Sequence, residues 1–488
     1  MALLETVRAE RLEKIARLKE AGMEAYPAST RRTHTGEQFL ENHAVLLKNS
    51  EEIILAGRVM SIREHGGSLF VDIFDGTVKV QAYFQKENLG DLFESFTLLV
   101  DTGDIIEVGG VAFVTKRGMP SLLGDTWRML AKSLAPVPDQ WFGIKDEDER
   151  YRKRYLDILL SADLAARIRR RSAFWNTIRQ FLLERDFVEV ETPVLETTTG
   201  GAEARPFVTH HNALDMNVYL RISAGELWQK RLLIAGLPKV FEIGRIFRNE
   251  GISFEHAQDY TQVEFYEAFK DYEFGMEMVT ELYRTIADKV YGSQVFSIKG
   301  VDVDLAREWT TYDFSALMQD TYGFDPREAA HMSDADARAL LQKHEPAFEG
   351  EADGIGRVVD MLWKNIRKGL VGPGFLINVP VYLEPLAKKS AKDQRVVERF
   401  QVMIAGSEIG KGFSELNDPM DQAERFKEQQ RLREAGDEEA QMPDAQFVEA
   451  LEYGMPPAFG FGVSERLFSF FEGVSVREAQ LFPLLRPR

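Results

Sequence analysis

The stretch FEIGRIFRNEGISFEHAQDYTQVEFYEAF, from Phe241 to Phe269, predicts two β-strands joined by a long polar loop. Apolar and polar residues alternate before and after the loop, which is the pattern of strands that bury one face. Because successive side chains of a strand point to opposite faces, the second strand brings four side chains to one face. These are Tyr260, Gln262, Glu264 and Tyr266.

The polar groups of this hairpin suit a nucleotide and a cation. Arg248 ends the first strand, where a guanidinium can bind a phosphate through two hydrogen bonds. The ring of Tyr260 could stack on a base, and Glu264 beside Tyr266 would form an acidic pocket for a cation. The alternative is that these charges only form salt bridges on the surface of a sheet, and the spacing alone leaves both interpretations open.

The sequence beyond about residue 150 predicts an α+β domain. Its strand-like runs are not separated by regular crossover helices, so we expect an antiparallel sheet with helices packed on it. A long helix with a basic side, AARIRRRSAFWNTIRQFLLERD, precedes these runs. The predicted strands are FVEVETP, ARPFVTHH, VYLRIS, KVFEIGRIFR and TQVEFYEAF.

The sequence between Ile53 and Pro136 predicts a small β-barrel. Short β-rich runs alternate there with turn compositions, and five such strands suit an OB-fold. The predicted strands are IILAGRVMSI, SLFVDIFD, VKVQAYF, DIIEVGGVAFVTKRG and MLAKSLAPVP, and the predicted turns include RGMPSLLGD. The expected domains are an N-terminal helical extension (1–50), the OB-fold (51–140), a charged linker (141–160) and the α+β domain (161–488).

The composition excludes several kinds of site. The chain has 488 residues and no cysteine, which excludes disulfide scaffolds, thiolate zinc sites, cysteine nucleophiles and iron–sulfur clusters. Its net charge of −18 excludes a uniformly basic surface for nucleic acid, although not a local basic stripe. No apolar run is long enough to span a membrane, and the N-terminus lacks the apolar centre of a signal peptide. We therefore expect a soluble, cytoplasmic protein.

Two glycine-containing segments nearer the C-terminus add candidate residues. In GSEIGKGFSELND, Glu408 and Glu415 could converge on Mg²⁺ or could be ordinary solvated acids. This segment is not a phosphate loop, because it has one residue too few between its glycines and lacks the serine or threonine that would hold Mg²⁺. In PPAFGFGVSERLFSFFEG, Gly460 and Gly462 could admit a flat base, and Arg466 could close over it.

Taken together, these residues resemble the class II lysyl-tRNA synthetases of the bacterial type, over nearly the whole chain. DFVEVETP (186–193), FRNEGISFEH (247–256) and GFGVSER (460–466) resemble the three class II motifs. THHNALDMNVYLRIS (209–223) and GFSELND (412–418) resemble the lysine enzyme more than its aspartate and asparagine relatives.

The resemblance implies activation of L-lysine by ATP, transfer of lysine to the 3′ end of tRNA(Lys), Mg²⁺ as cofactor, and a homodimer. The implied catalytic residues are Arg248, on the α-phosphate, and Arg466. The implied ATP-binding residues are Arg248, Glu250, His256, Tyr260, Glu408, Gly460, Gly462 and Arg466. The implied lysine-binding residues are Gly201, Glu226, Glu264, Tyr266 and Asn417; the implied metal ligands are Glu408 and Glu415; and the implied anticodon-binding residues are Arg63, Phe70 and Gln81.

The chain also departs from the family pattern. YLRISAGELWQK has one residue more before Glu226 than the usual pattern, and Gly225 stands where proline is expected. Glu255 stands where arginine is usual. Tyr260 replaces phenylalanine, and GFGVSER is one residue short. Two alternatives stay open, an inactive tRNA-binding or regulatory paralogue and a ligase that joins lysine to a protein. An aspartate or asparagine enzyme is less consistent with the sequence, because it would need a cation where Glu264 stands.

Overall fold

The computed structural model describes residues 2–138, 144–251, 253–346, 348, 354–437 and 439–487. The chain forms two compact units, Met1–Ala162 and Asp163–Arg488. The start of the predicted linker, 141–143, lies outside the described residues, and two short helices occupy much of the remainder. The domain boundaries expected from composition stay predictions.

The first unit contains a five-stranded barrel, which confirms the predicted OB-fold architecture. The barrel closes in the order β1-β2-β3-β5-β4. Its strands are β1 (Glu52–His65), β2 (Ser68–Phe74), β3 (Lys79–Gln85), β4 (Ile105–Val114) and β5 (Pro120–Ala131). The helices of this unit are α1 (Ala2–Glu20), α2 (Gly36–Asn49), α3 (Lys86–Leu89), α4 (Asp91–Leu99), α5 (Glu147–Arg152) and α6 (Arg154–Leu160).

The fifth strand of the barrel differs from the predicted one. The sequence favoured a strand from Met129 onward, with SLLGD in the preceding turn, whereas β5 already begins at Pro120. Leu122 is fully buried in the barrel core. Gly124 lies so close to Phe84 that a Cβ at this position would be 2.4 Å from the ring. The glycine therefore allows close packing inside a strand, where sequence composition suggested a turn.

Among its described residues, the second unit combines ten α-helices with several sheets. Its helices are α7 (Ala162–Leu183), α8 (Glu226–Ile234), α9 (Tyr272–Ile286), α10 (Phe314–Tyr322), α11 (Asp334–His344), α12 (Ile355–Ile366), α13 (Pro419–Glu434), α14 (Ala445–Glu452), α15 (Arg466–Phe471) and α16 (Val476–Ala479). Its strands are β6 (Val188–Glu189), β7 (Leu195–Glu196), β8 (Val208–His211), β9 (Met216–Leu220), β10 (Lys239–Phe247), β11 (Asp259–Ala268), β12 (Val295–Ile298), β13 (Val301–Asp304), β14 (Thr310–Asp313), β15 (Gly374–Ile377), β16 (Arg399–Ile404), β17 (Ser407–Ser414) and β18 (Ala458–Ser464). Within the described residues, no helix of either unit is long and apolar enough to cross a membrane.

The main sheet of the second unit has eight strands, in the order β14-β15-β16-β17-β18-β11-β10-β6. Its neighbours are antiparallel except at the two edges, where β14 pairs with β15 and β10 with β6 in parallel. The predicted α+β class, with an antiparallel sheet and flanking helices, is confirmed. Alternation on β11 sends Val263 and Phe265 into a buried core that includes Val279 and Leu282 of α9. The other face of the sheet is free to form a site.

Candidate active site

The centre of the main sheet forms the floor of a cavity of about 960 Å³, a size suited to a small ligand. Tyr260, Gln262, Glu264 and Tyr266 all line this cavity, as the alternation along β11 predicted. In the neighbouring strand β18, Gly462 lies opposite Glu264, and Gly460 lies opposite Tyr266. A Cβ on Gly460 would be 2.1 Å from Glu415 Oε1, so any residue other than glycine at this position would displace that carboxylate.

Glu264 is a buried carboxylate that accepts hydrogen bonds and has no counter-charge among the described residues. Its side chain accepts hydrogen bonds from the Ala224 backbone N–H at 2.8 Å, from the Gln262 amide at 2.6 Å and from the Tyr266 hydroxyl at 3.0 Å. Within the described parts of the chain, no lysine, arginine or histidine lies within ion-pair distance of it. Burial and the nearby carboxylate of Glu226 raise the pKa of Glu264 above the usual glutamate range. A cation bound beside Glu264 would therefore offset the unfavourable burial of its negative charge.

Lys230 is a site residue that sequence reasoning missed. Its Nζ lies 2.7 Å from Glu226 Oε1 and 2.5 Å from Glu415 Oε2, and all three side chains are buried. Burial lowers the pKa of Lys230, but the two carboxylates outweigh this effect and raise it. Glu226 and Lys230 are four residues apart at the start of α8, and this spacing on a helix was the available signal. We call Glu226, Glu264 and Glu415 the acidic cluster.

The unusual sequence before Glu226 is accommodated without moving this residue out of the cavity. Gly225 has a φ of +80°, and a Cβ at this position would be 2.1 Å from the Thr192 hydroxyl, so the position requires glycine. Gly201 also has a positive φ, and its Cβ would be 2.7 Å from Glu226 Cβ. Both Gly201 and Glu226 line the cavity. The backbone at Gly201 therefore packs directly against Glu226.

Arg248, His256 and Arg466 line the same cavity and form a second group, which we call the basic cluster. The guanidinium of Arg248 lies over the ring of Tyr260, 5.8 Å from the ring centre, and its Nε donates to the Ile222 carbonyl at 3.2 Å. No carboxylate among the described residues lies within ion-pair distance of Arg248. The predicted nucleotide residues Glu250, Gly460 and Gly462 also line the cavity.

Glu408 and Glu415, the predicted magnesium ligands, both line the cavity but have different partners. Glu408 Oε1 accepts a hydrogen bond from the Trp363 indole at 2.7 Å, and Glu408 Oε2 lies 3.7 Å from Arg367. Glu415 is instead held by Lys230. Among the described residues, no group of three histidine or carboxylate side chains is arranged to hold a metal ion.

Asn417, a predicted lysine-binding residue, is not among the residues that line the cavity. Its amide nitrogen donates to the Met455 carbonyl at 3.1 Å, and its amide oxygen accepts from Lys388 at 2.6 Å. In this structure Asn417 therefore joins three loop segments. Its contact with lysine stays a prediction.

The predicted anticodon residues share the outer face of the barrel. The half-buried ring of Phe70 lies 4.8 Å from the ring of Tyr83, measured between ring centres. Arg63 pairs with Asp72 at 3.2 Å, and the side-chain oxygen of Gln81 accepts from Ser121 at 3.2 Å. Aromatic rings flanked by polar groups on an OB-fold strand surface are suited to stacking and edge recognition of single-stranded bases.

The two clusters together define what the cavity can bind. An acidic cluster with an unpaired buried carboxylate suits an ammonium group, and a basic cluster with an unpaired arginine suits phosphate oxygens. Comparison with known proteins agrees with this arrangement. Residues 146–486 match the family described as tRNA synthetases class II (D, K and N), and residues 53–130 match the OB-fold nucleic acid binding domain.

Similar proteins of nearly equal length narrow the class further. The lysine–tRNA ligase of Fervidobacterium nodosum is 41% identical over 491 residues, covering 99% of this chain and 95% of the relative. The lysine–tRNA ligase of Thermotoga maritima is 39% identical, covering 100% of this chain and 97% of the relative. That of a Synechococcus species (strain CC9311) is 41% identical, covering 99% of each. The chain therefore belongs to the lysine–tRNA ligase family of class II tRNA synthetases.

Proposed function

We propose that this protein activates L-lysine with ATP and transfers the lysyl group to the 3′ end of tRNA(Lys). The observation that carries the proposal is Glu264, a buried carboxylate with three hydrogen-bond donors and no cationic partner among the described residues. The ε-ammonium of a free lysine would supply the missing positive charge. Glu226 and Glu415 share one cation, Lys230, so each already has a positively charged neighbour, although one negative charge of this pair stays uncompensated.

Activation joins the lysine carboxylate to the α-phosphorus of ATP as pyrophosphate leaves, which yields lysyl-adenylate. The attacking carboxylate is already ionised at neutral pH, so this step needs no general base from the protein. Negative charge develops on the phosphate oxygens, and Arg248 can bind them because it has no competing carboxylate partner among the described residues. Positioning and charge stabilisation would therefore provide most of the rate enhancement.

Magnesium is proposed as the cofactor, with Glu408 as the residue that fits it best. The Glu408 carboxylate lines the cavity and is only partly buried, and Mg²⁺ commonly takes one or two protein carboxylates together with substrate phosphates. The role of Glu415 as a second ligand stays a prediction, because its carboxylate is held by Lys230. When bound, the ion would neutralise negative charge on the phosphates.

The tRNA is the proposed acceptor because the chain also matches an OB-fold nucleic acid binding domain at residues 53–130. This match argues against the protein-modifying ligase, which has no evident need for the aromatic face around Phe70. The full-length similarity to lysine–tRNA ligases argues against an inactive paralogue. We also propose that the protein works as a homodimer in the cytoplasm.

A charging assay tests this proposal. Purified protein would be incubated with ATP, Mg²⁺, labelled lysine and a tRNA pool, and label in acid-precipitable RNA would be counted. We expect label in RNA that is released by ribonuclease. Label in protein would favour the protein ligase, and no label in either fraction would favour the inactive paralogue.

Phe70→Ala should weaken tRNA charging while sparing lysine activation. Loss of a stacking ring costs about 1–3 kcal/mol per base, so kcat/KM for tRNA should fall about tenfold or more. Pyrophosphate exchange without tRNA should stay near the parent value, because Phe70 belongs to the other compact unit. Leu98→Ala, at an exposed apolar residue of α4, is the control and should change neither activity. Equal losses of charging and exchange in Phe70→Ala would identify Phe70 as a structural residue.

The raised pKa of Glu264 predicts a pH dependence of lysine binding. Glu264 must be ionised to pair with an ammonium, so kcat/KM for lysine should fall as the pH drops through this raised pKa. At saturating lysine the bound ammonium stabilises the carboxylate, so the fall in kcat should lie at lower pH. Exchange kinetics from about pH 5 to about pH 9 would measure both profiles. Profiles that fall at the same pH would argue against a contact between Glu264 and the substrate.

A further inference from the structure

Glu255 lies in the loop between β10 and β11 and connects three other elements. Its carboxylate forms ion pairs with Arg466, at the start of α15, and with Lys299, in the turn between β12 and β13, where Nζ lies 2.5 Å away. It also accepts a hydrogen bond from the Ser407 hydroxyl, at the start of β17, at 3.0 Å. Lys299 in turn donates to Ser407 at 2.8 Å.

The cations around Glu255 outnumber the negative charge that it supplies. Arg466 belongs to the basic cluster and lines the cavity, together with Arg248 and Glu255, whereas Lys299 is not among the lining residues and contacts Glu255. Burial and the nearby Arg367 lower the pKa of Lys299, which indicates that positive charge is crowded here. Two further carboxylates lie near these groups: Glu408, next to Ser407 on β17 and 3.7 Å from Arg367, and Glu250, which lines the cavity with Arg248. A ligand with several negative charges would relieve this crowding better than one carboxylate can.

We propose that Glu255 is an internal anion that occupies Arg466 and Lys299 until the outer phosphates of a nucleoside triphosphate replace it, and that Lys299 is therefore a phosphate-binding residue. This inference rests on the proposed function, since it places ATP in this cavity. Both ligands present oxygen acceptors to the same two cations, so phosphate and Glu255 must compete.

Hydrogen bonds within the loop hold Glu255 next to His256. The Ser253 hydroxyl hydrogen-bonds with His256 Nδ1 at 2.7 Å and accepts from the backbone N–H of Glu255 at 3.2 Å. Among the described residues, the Glu255 side chain is linked to the rest of the domain through the ion pairs and the Ser407 bond described above, and the adjacent Phe254 carbonyl accepts from the Val476 backbone N–H at 3.0 Å. If Glu255 instead served to hold Arg466 in a binding position, its removal would weaken nucleotide binding. The two roles therefore predict opposite changes in nucleotide affinity when Glu255 is replaced.

Titration calorimetry with Glu255→Gln, without lysine or tRNA, distinguishes these roles. ATP and inorganic pyrophosphate should bind more tightly than to the parent, on the order of tenfold, because the competing anion is gone. AMP, which lacks the outer phosphates, should bind as before. Glu281→Gln, at a surface glutamate paired with Arg185, is the matched control and should leave all three affinities unchanged. Unchanged or weaker binding of ATP and pyrophosphate to Glu255→Gln would overturn the proposal.

Lys299→Met tests the second half of the proposal without altering Glu255. It should weaken ATP and pyrophosphate binding about tenfold and leave AMP binding unchanged, whereas an unchanged pyrophosphate affinity would overturn the role of Lys299.

If Glu255→Gln shows a lowered melting temperature, a second variant, Glu255→Asp, replaces it. Aspartate keeps the charge but is shorter, so this variant should also tighten ATP binding. The parent's own lysine-dependent exchange is measured separately. A parent that binds pyrophosphate but activates no amino acid would contradict the proposed function and leave the role of Glu255 standing.

Discussion

Replacing Glu264 with glutamine is expected to lower kcat/KM for lysine in pyrophosphate exchange by about two to four powers of ten. Glutamine keeps almost the same volume, so the cavity stays intact, but the ε-ammonium would be buried without a counter-charge. Removing one partner of such a buried pair costs about 3–5 kcal/mol. The Kd for ATP alone should change little, because Glu264 belongs to the acidic cluster and not to the basic cluster. Calorimetry and exchange kinetics measure the two quantities separately.

Glu267→Gln is the matched control for this variant. Glu267 is a buried glutamate of the same strand, but it pairs with Lys239 and does not line the cavity, so its variant should keep its kcat/KM for lysine. Ornithine, whose ammonium is one methylene short of Glu264, should be a poor substrate of the parent. If Glu264→Gln activates lysine within a few-fold of the parent, Glu264 is a structural residue of β11.

Arg248→Ala is expected to lower kcat for lysine-dependent exchange by about two to three powers of ten. The guanidinium is proposed to bind the α-phosphate oxygens, where charge grows in the transition state, and losing one such preorganised donor typically costs about this much. Arg245→Ala is the control, because Arg245 lies on β10, just before Arg248 in the chain, but is exposed and paired with Asp259. A kcat that stays within a few-fold in Arg248→Ala, as in the control, would remove Arg248 from the reaction.

Much of the site was predictable from short-range patterns in the sequence. Alternation along β11 placed Glu264 and Tyr266 on one face, because a strand has a fixed period of two. Gly460 and Gly462 marked a surface without side chains, and the structure shows that a Cβ on Gly460 would collide with Glu415. Each of these inferences depended only on residue types and their spacing within a single strand.

The contacts that sequence reasoning missed join residues far apart in the chain. Glu415 and Lys230 meet across nearly two hundred positions, and the sequence does not specify which carboxylates a buried lysine will reach. Glu255 was visible as an unusual residue, but its pairing with Lys299 depends on how the β12–β13 turn packs. The fifth barrel strand was misplaced because Gly124 was interpreted as part of a turn, although it packs against Phe84.

The central claim is that this cavity selects lysine and activates it with ATP. The most direct measurement is amino-acid-dependent exchange of labelled pyrophosphate into ATP, with the purified protein, Mg²⁺ and each of the twenty amino acids in turn. Because Glu264 offers a buried negative charge, we expect strong exchange with lysine and exchange near background with aspartate and asparagine. Exchange that depends on another amino acid, or no exchange with any of the twenty, would contradict the claim.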